Sequence, residues 1–208
     1  MNEEIIRQSE ALAPLLDSSR KRALICGVLF AALAAYGYSS DHGQFFQSYL
    51  LAFVYWVSLT LGCLLLLMIH HLAGGRWGFA IRRILEAGTR TLGLMLVLGI
   101  PLLLGIHELY EWSHEEVVAA DEILQKKAVF LNRTFFILRY FVYFLVWGIL
   151  VFFLNRWTAQ QDETTETSPT RRMQVLSGPG VVVSVLFTTF AAIDWIMSLE
   201  PHWYSTIY

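Results

Sequence analysis

The 208-residue chain is short of charge: 15% of its residues are Asp, Glu, Lys or Arg, where a soluble domain usually carries about 25%. The net charge of −2 leaves no basic footprint and excludes nucleic acid as a partner. Cysteine is scarce as well. Cys26 and Cys63 stand 37 positions apart, each in an apolar run and with no CxxC pairing, which excludes an iron–sulfur site. Both read as small buried thiols rather than as a disulfide or a metal site. No GxGxxG and no P-loop occurs; "SGPG" (Ser177 to Gly180) reads as the start of a helix, with Pro179 in its first turn. Haem held by two histidines within a bilayer needs them at matched depth, and His70 and His107 fall at opposite faces. The chain is expected to bind no cofactor and to hold no redox centre of its own.

What is abundant is apolar. Hydrophobic residues make up 56% of the chain, with 14 Phe and 7 Trp, and the mean hydropathy is +0.51. A bilayer core about 30 Å thick needs roughly 20 mostly apolar residues per helix. Five stretches come near this: Ala23 to Tyr38, Phe46 to Leu72, Gly88 to His107, Phe135 to Leu154 and Val175 to Leu199. The fold expected is all-α and integral to the lipid bilayer. Residues 1–22 form an N-terminal tail and 23–208 the membrane domain. The charged-then-apolar order of "SSRKRALICGVLFAALAAYGYSS" also suits a signal peptide. The 22 residues before the apolar run and the four spans after it favour an anchoring helix.

Lysine and arginine set the expected orientation. With the N-terminus in the cytoplasm, eleven fall on the cytoplasmic side: Arg7, Arg20, Lys21, Arg22, Arg76, Arg82, Arg83, Arg90, Arg156, Arg171 and Arg172. Only Lys126, Lys127 and Arg133 face outward, while Arg139 lies inside the fourth span. In "RWGFAIRRILEAGTR", Trp77, Ile81, Ile84 and Leu85 form an apolar face, with an Arg82–Glu86–Arg90 ladder on the polar side at the interface. Arg82 and Arg83 read most simply as headgroup anchors. The outer loop opens with a capping box, Ser113 with Glu116, and Lys126 and Lys127 end its short helix. Thr158 to Arg172 reads as a polar cytoplasmic loop.

Ionisable groups then fall into two layers. Arg139, Asp194, His107 and Glu108 share an outer layer, with Glu200 just above it. His70 and His71 lie near Arg82, Glu86 and Arg90 at the cytoplasmic end. Ala191, Asp194 and Ser198 share one helix face, which turns Asp194 toward protein. A charged group in mid-helix costs roughly 2.5–3.5 kcal/mol to insert, so an Arg139–Asp194 ion pair and a proton relay are both open readings of Asp194. Proton half-channels would need two such layers around an apolar middle; a bundle with charged ends would show the same pattern.

Several stretches resemble, in order, the F subunit of bacterial alternative complex III. They are "FFQSYLLAFVYWVSLTLGCLLLLMIHHLAGGRWGFAIRRILEAGTRTL" (Phe45 to Leu92), "IPLLLGIHELYEW" (Ile100 to Trp112), "FLNRWT" (Phe153 to Thr158), "LSGPG" (Leu176 to Gly180) and "IDWIMSLEPHWYSTIY" (Ile193 to Tyr208). The family is similar to the membrane anchors of polysulfide-reductase-type enzymes. The resemblance implies a non-redox membrane subunit of a quinol:cytochrome c oxidoreductase of the respiratory chain in the bacterial inner membrane, beside a homologous membrane subunit. Haem c and iron–sulfur clusters would belong to partner subunits, and quinol is possible in the complex, with the similar C subunit the better-supported site. Family members have ten helices, a four-helix bundle in each half, and are proposed to translocate protons. Asp194, Glu200, His70, His71 and Glu86 match the family's polar positions. The chain corresponds to the N-terminal half, so its end at Tyr208 reads as a cut, a fragment rather than a whole subunit. Two other functions remain open from the residues: a structural anchor for redox subunits, and half of a secondary transporter. The apolar middle of every span, with Pro101 the one helix interruption, weighs against the transporter.

Overall fold

A computed structural model describes the backbone of residues 2–75, 77–78, 80–164 and 166–202, with side chains at 14 and from 16 onward. Arg76, Thr165 and the segment from Trp203 to Tyr208, which the expected inner connection, polar loop and chain end all touch, lie outside the described residues; so does the side chain of Arg7. Among the described residues there are helices and no strands. Five helical segments are long and apolar enough to cross a membrane: Leu16–Ser40, His42–Ala73, Arg82–Leu104, Arg133–Glu163 and Ser168–Leu199. The protein is an all-α, multi-pass membrane protein in its architecture.

The chain divides into two compact units, Met1–Phe45 and Phe46–Tyr208. The first is dominated by α1 (Asn2–Ser40), which runs unbroken through the expected polar tail and through Pro14. Cys26, on this helix, is exposed rather than buried, and Cys63 is half-buried; both are free thiols.

In the second unit four spans pack together. α2 (His42–Ala73), which lies mostly in this unit, ends where Gly74 and Gly75 take left-handed φ values of 65° and 83°, conformations that residues with a Cβ rarely adopt. That stop leaves His70 and His71 in its last turn. The third span is segmented into α3 (Arg82–Thr89), α4 (Leu92–Leu98) and α5 (Ile100–Leu104), followed by α6 (Ile106–Leu109). Gly99 caps α4 and Gly105 caps α5. α9 (Arg133–Glu163) follows the outer loop helices α7 (Glu115–Ala120) and α8 (Glu122–Lys127), and α10 (Ser168–Trp195) closes the bundle. Asn132 caps α9 by accepting the Phe135 N–H at 3.0 Å.

Three local expectations need correction. The Thr158 to Arg172 loop is mostly helix, because α9 continues to Glu163 and α10 begins at Ser168. At about 1.5 Å per residue, 31-residue α9 is about 46 Å long, well beyond a bilayer core of about 30 Å. Pro169, not Pro179, therefore occupies the first turn of α10; Pro179 is inside the helix, where it cannot donate to the Val175 carbonyl. α10 runs on unbroken through Pro179, whereas the third span breaks at Gly99 and Gly105 on either side of Pro101. Finally, Ser113 does not cap α7. Its hydroxyl turns back to the Tyr110 carbonyl at 2.7 Å, and the loop's side-chain cap is Asp121, which accepts the Ile123 N–H at 2.7 Å.

Tight contacts hold the spans in register. The Tyr140 hydroxyl of α9 donates to the Leu96 carbonyl at 2.6 Å, and Thr60 of α2 shares a 2.8 Å hydrogen bond with Thr91. The Tyr49 hydroxyl donates to the Leu98 carbonyl at 2.7 Å. A Cβ at Gly105 would fall within the ring of buried Phe46. Gly105→Ala is expected to lose about 1–3 kcal/mol by overpacking, seen as a lower unfolding midpoint in detergent. An unchanged midpoint would mean that the ring is free to move aside.

Candidate functional site: two buried ionisable layers

Asp194 is fully buried one residue before the end of α10, on the face that also buries Ala191 and Ser198. Its carboxylate takes both arms of Arg139, with Nε at 2.7 Å from Oδ2 and an Nη at 2.8 Å from Oδ1. The planar guanidinium matches the carboxylate fork, the geometry in which such pairs are strongest. Tyr143, one turn along α9 from Arg139, adds a hydroxyl donor to Oδ2 at 2.5 Å. The remaining guanidinium capacity goes to the Phe130 carbonyl at 3.0 Å, with the Phe130 ring 3.9 Å from the guanidinium carbon. Ser198 donates to the Asp194 carbonyl. Beside this cluster Tyr110 donates to the Trp195 carbonyl at 3.1 Å. Burial first, and the Asp194 charge second, push the Tyr110 hydroxyl above its ordinary pKa, so it stays a proton donor.

The expected outer layer is narrower than its five residues. His107 and Glu108 end up exposed and do not join Arg139 and Asp194. The His107 ring meets Ser113 Oγ at 3.1 Å, and the His114 ring meets the His107 carbonyl at 2.9 Å. The short, glycine-broken α6 turns both side chains away from the bundle, which spacing alone could not reveal. Glu200 is also exposed, past a short 3₁₀ turn at Met197–Leu199.

At the same end, the His202 ring bonds Asp121, the cap of α8. This contact first, and the Ile123 N–H second, hold the Asp121 carboxyl below its ordinary value of 3.8. Folding lowers this pKa, so its stabilising contribution is present above pH 3.8 and is lost as pH falls through the lowered midpoint. His202→Ala is expected to move the Asp121 midpoint up toward 3.8, measurable by carbon-13 NMR of the carboxyl. A midpoint that does not move would show that the backbone N–H groups alone set it.

The second layer forms at the other end of α9. Arg139 and Gln161 are 22 residues apart, about 33 Å along the helix, close to a bilayer core thickness. Glu86 of α3 is the centre of this layer and is 2% exposed. It accepts Arg82 Nε at 2.6 Å and an Nη of Arg83 at 3.0 Å. Arg82 also donates to Gln161 Oε1 at 2.7 Å, and Gln161 in turn donates to Thr170 at 2.6 Å. Arg83 reaches Asp162 at 2.6 Å. The chain of partners ties α3 to α9 and α10. Arg82 and Arg83 are thus ion-paired rather than simple headgroup anchors. The Glu86–Arg90 rung does not form; Arg90 donates to Asn155 at 3.1 Å, and Asn155 donates to Thr89 at 3.1 Å.

The polarity expected for this segment is turned around. Glu86 faces the bundle with Leu85, whereas Trp77, Ile81 and Ile84 of the expected apolar face are exposed. In lipid, an exposed isoleucine is well solvated and a carboxylate is not, so the charged side turns inward. His70 and His71 are buried in the same layer's helix end, their rings 5.7 Å apart. His70 Nδ1 and His71 Nε2 have no protein partner among the described residues. Gly78 lies against the His70 ring, where a Cβ would clash.

Between the layers the buried face of α10 carries Ser177, Gly180 and Ser184, and the Ser184 hydroxyl has no protein partner among the described residues. The facing stretch of α9 is apolar, with Phe144, Trp147, Leu150 and Leu154 buried. Among the described residues no cluster of three or more His, Cys, Asp or Glu is arranged to hold a metal ion. No protein-family model matches the chain, and no curated protein sequence matches it either.

Proposed function

We propose that this chain is a non-redox membrane subunit of a quinol:cytochrome c oxidoreductase of the alternative complex III type, contributing to proton movement coupled to quinol oxidation. In this reading it corresponds to the N-terminal half of the F subunit. It sits in a bacterial inner membrane with its N-terminus in the cytoplasm, against partner subunits that hold haem c and iron–sulfur clusters. The observation that carries the proton role is the pair of fully buried carboxylates, Glu86 and Asp194, in layers a bilayer apart. Buried ionisable groups at membrane depth are costly to retain unless paired or used. The imidazoles of His70 and His71, each with a nitrogen unpartnered among the described residues, are suited to exchange protons at the Glu86 end. The small face of α10 carries the hydroxyls of Ser177 and Ser184 between the layers.

A second reading, a structural anchor, is favoured by one specific feature: Asp194 is engaged by both Arg139 arms and by Tyr143. A carboxylate so fully bonded is held as an ion pair, which is how a bundle fixes two helices without transporting anything.

The identity of the complex is testable by purifying a tagged copy of the chain from its native membrane. Haem c absorption and quinol:cytochrome c reductase activity are expected to co-purify. A homogeneous preparation with neither would contradict the assignment.

A further inference from the structure

On the flank of α10 a groove of about 730 Å³ is lined by Trp157, Arg171, Arg172, Val175, Leu176 and Pro179, with Thr167 and Ser168 at its rim. The Arg82, Arg83 and Arg90 guanidinia of the Glu86 layer are all occupied, by Glu86, Gln161, Asp162 and Asn155. Arg171 and Arg172 are different. Both are exposed, and neither side chain has a hydrogen bond or ion pair among the described residues. Glu163 and Glu166, the acids nearest in sequence, do not line the groove.

The groove changes character along its length. Its upper part holds two cations unpaired among the described residues and the first turn of a 28-residue helix, whose dipole favours an anion. Its lower part is the apolar wall of Val175, Leu176 and Pro179. Trp157, on the opposite wall, is an amphipathic ring of the kind that settles at the headgroup level of a bilayer. An anion with an attached hydrocarbon tail complements both parts; a free anion leaves the apolar wall unused.

We infer that this groove binds an anionic phospholipid, its phosphate between Arg171 and Arg172 and one acyl chain along Val175, Leu176 and Pro179. This stands on the groove alone and does not depend on the respiratory function. Each arginine near a membrane surface strengthens anionic-lipid binding by roughly fivefold. Removing both is expected to weaken it by roughly 25- to 30-fold.

The full chain would be reconstituted in phosphatidylcholine vesicles containing phosphatidylglycerol brominated on its acyl chains, and in matched vesicles with the bromine on phosphatidylcholine. The Trp157 signal is the difference between the parent protein and Trp157→Phe. Brominated phosphatidylglycerol is expected to quench that signal at a far lower mole fraction than brominated phosphatidylcholine. Arg171→Gln/Arg172→Gln is expected to erase the difference with helix content unchanged, while Arg156→Gln, exposed one residue from Trp157 and outside the groove, keeps it. Equal quenching by the two lipids, or a preference that survives the double substitution, would overturn the inference. Loss of the preference on adding inorganic phosphate would also overturn it, showing a phosphate site without a lipid requirement.

Discussion

Arg139→Ala is expected to destabilise the bundle by about 3–5 kcal/mol, the largest single-residue effect in the protein. The substitution leaves the Asp194 carboxylate fully buried, with Tyr143 as its one side-chain donor. Desolvation of that charge is then uncompensated, and the lost guanidinium also breaks the bond to the Phe130 carbonyl at 3.0 Å. The converse change is milder. In Asp194→Asn the amide oxygen still accepts one guanidinium N–H, and Arg139 keeps the Phe130 carbonyl and ring. Its side chain is 15% exposed, so the charge is not sealed away. Replacing both partners with apolar residues of similar volume, Arg139→Met with Asp194→Leu, is expected to restore stability close to the parent level. Reversible unfolding in mixed micelles measures all three. Equal losses for Arg139→Ala and the double variant would show that the pair is not what the single substitution exposes.

Glu86→Ala is the second large effect, about 3 kcal/mol, at the low end for a broken buried pair. Two cations lose their shared acceptor, but unequally. The Arg83 side chain is 62% exposed and keeps Asp162, so it contributes little. Arg82 is 14% exposed and retains only Gln161, so its desolvation dominates the loss. Arg82→Met in the Glu86→Ala background is therefore expected to recover most of the stability, and Arg83→Met to recover almost none. If Arg83→Met were the better rescue, the electrostatics of this layer would be centred on the surface pair instead.

The sequence announces the membrane architecture because five apolar runs near 20 residues have few alternatives in water. It also offers the Arg139–Asp194 pair as one of two open readings, since opposite charges inside spans at matched depth lower each other's cost of insertion. Tyr143 is not legible: it lies four residues from Arg139 and so on the same helix face, but nothing marks one tyrosine among nine as a carboxylate donor. Helix ends are less legible. The polar stretch Thr158 to Arg172 has the composition of a loop, but its Gln161, Asp162 and Thr170 are used by the arginines of α3 and by each other, and that demand keeps the helices going. The same tertiary demand turned Glu86 inward against its amphipathic pattern. His107 and Glu108 fall outside the layer that their spacing suggests because Gly99 and Gly105 break the third span, and helical spacing cannot be carried across a break.

The proposed place of Asp194 in a proton path as well as an ion pair is met directly by one measurement: protons translocated per electron by the intact complex in sealed vesicles, with Asp194→Asn against the parent. Proton movement through this layer predicts a lower ratio in the variant, with assembly and quinol oxidation retained. An unchanged ratio in an assembled, active complex would contradict it and leave Arg139 and Asp194 as a structural pair.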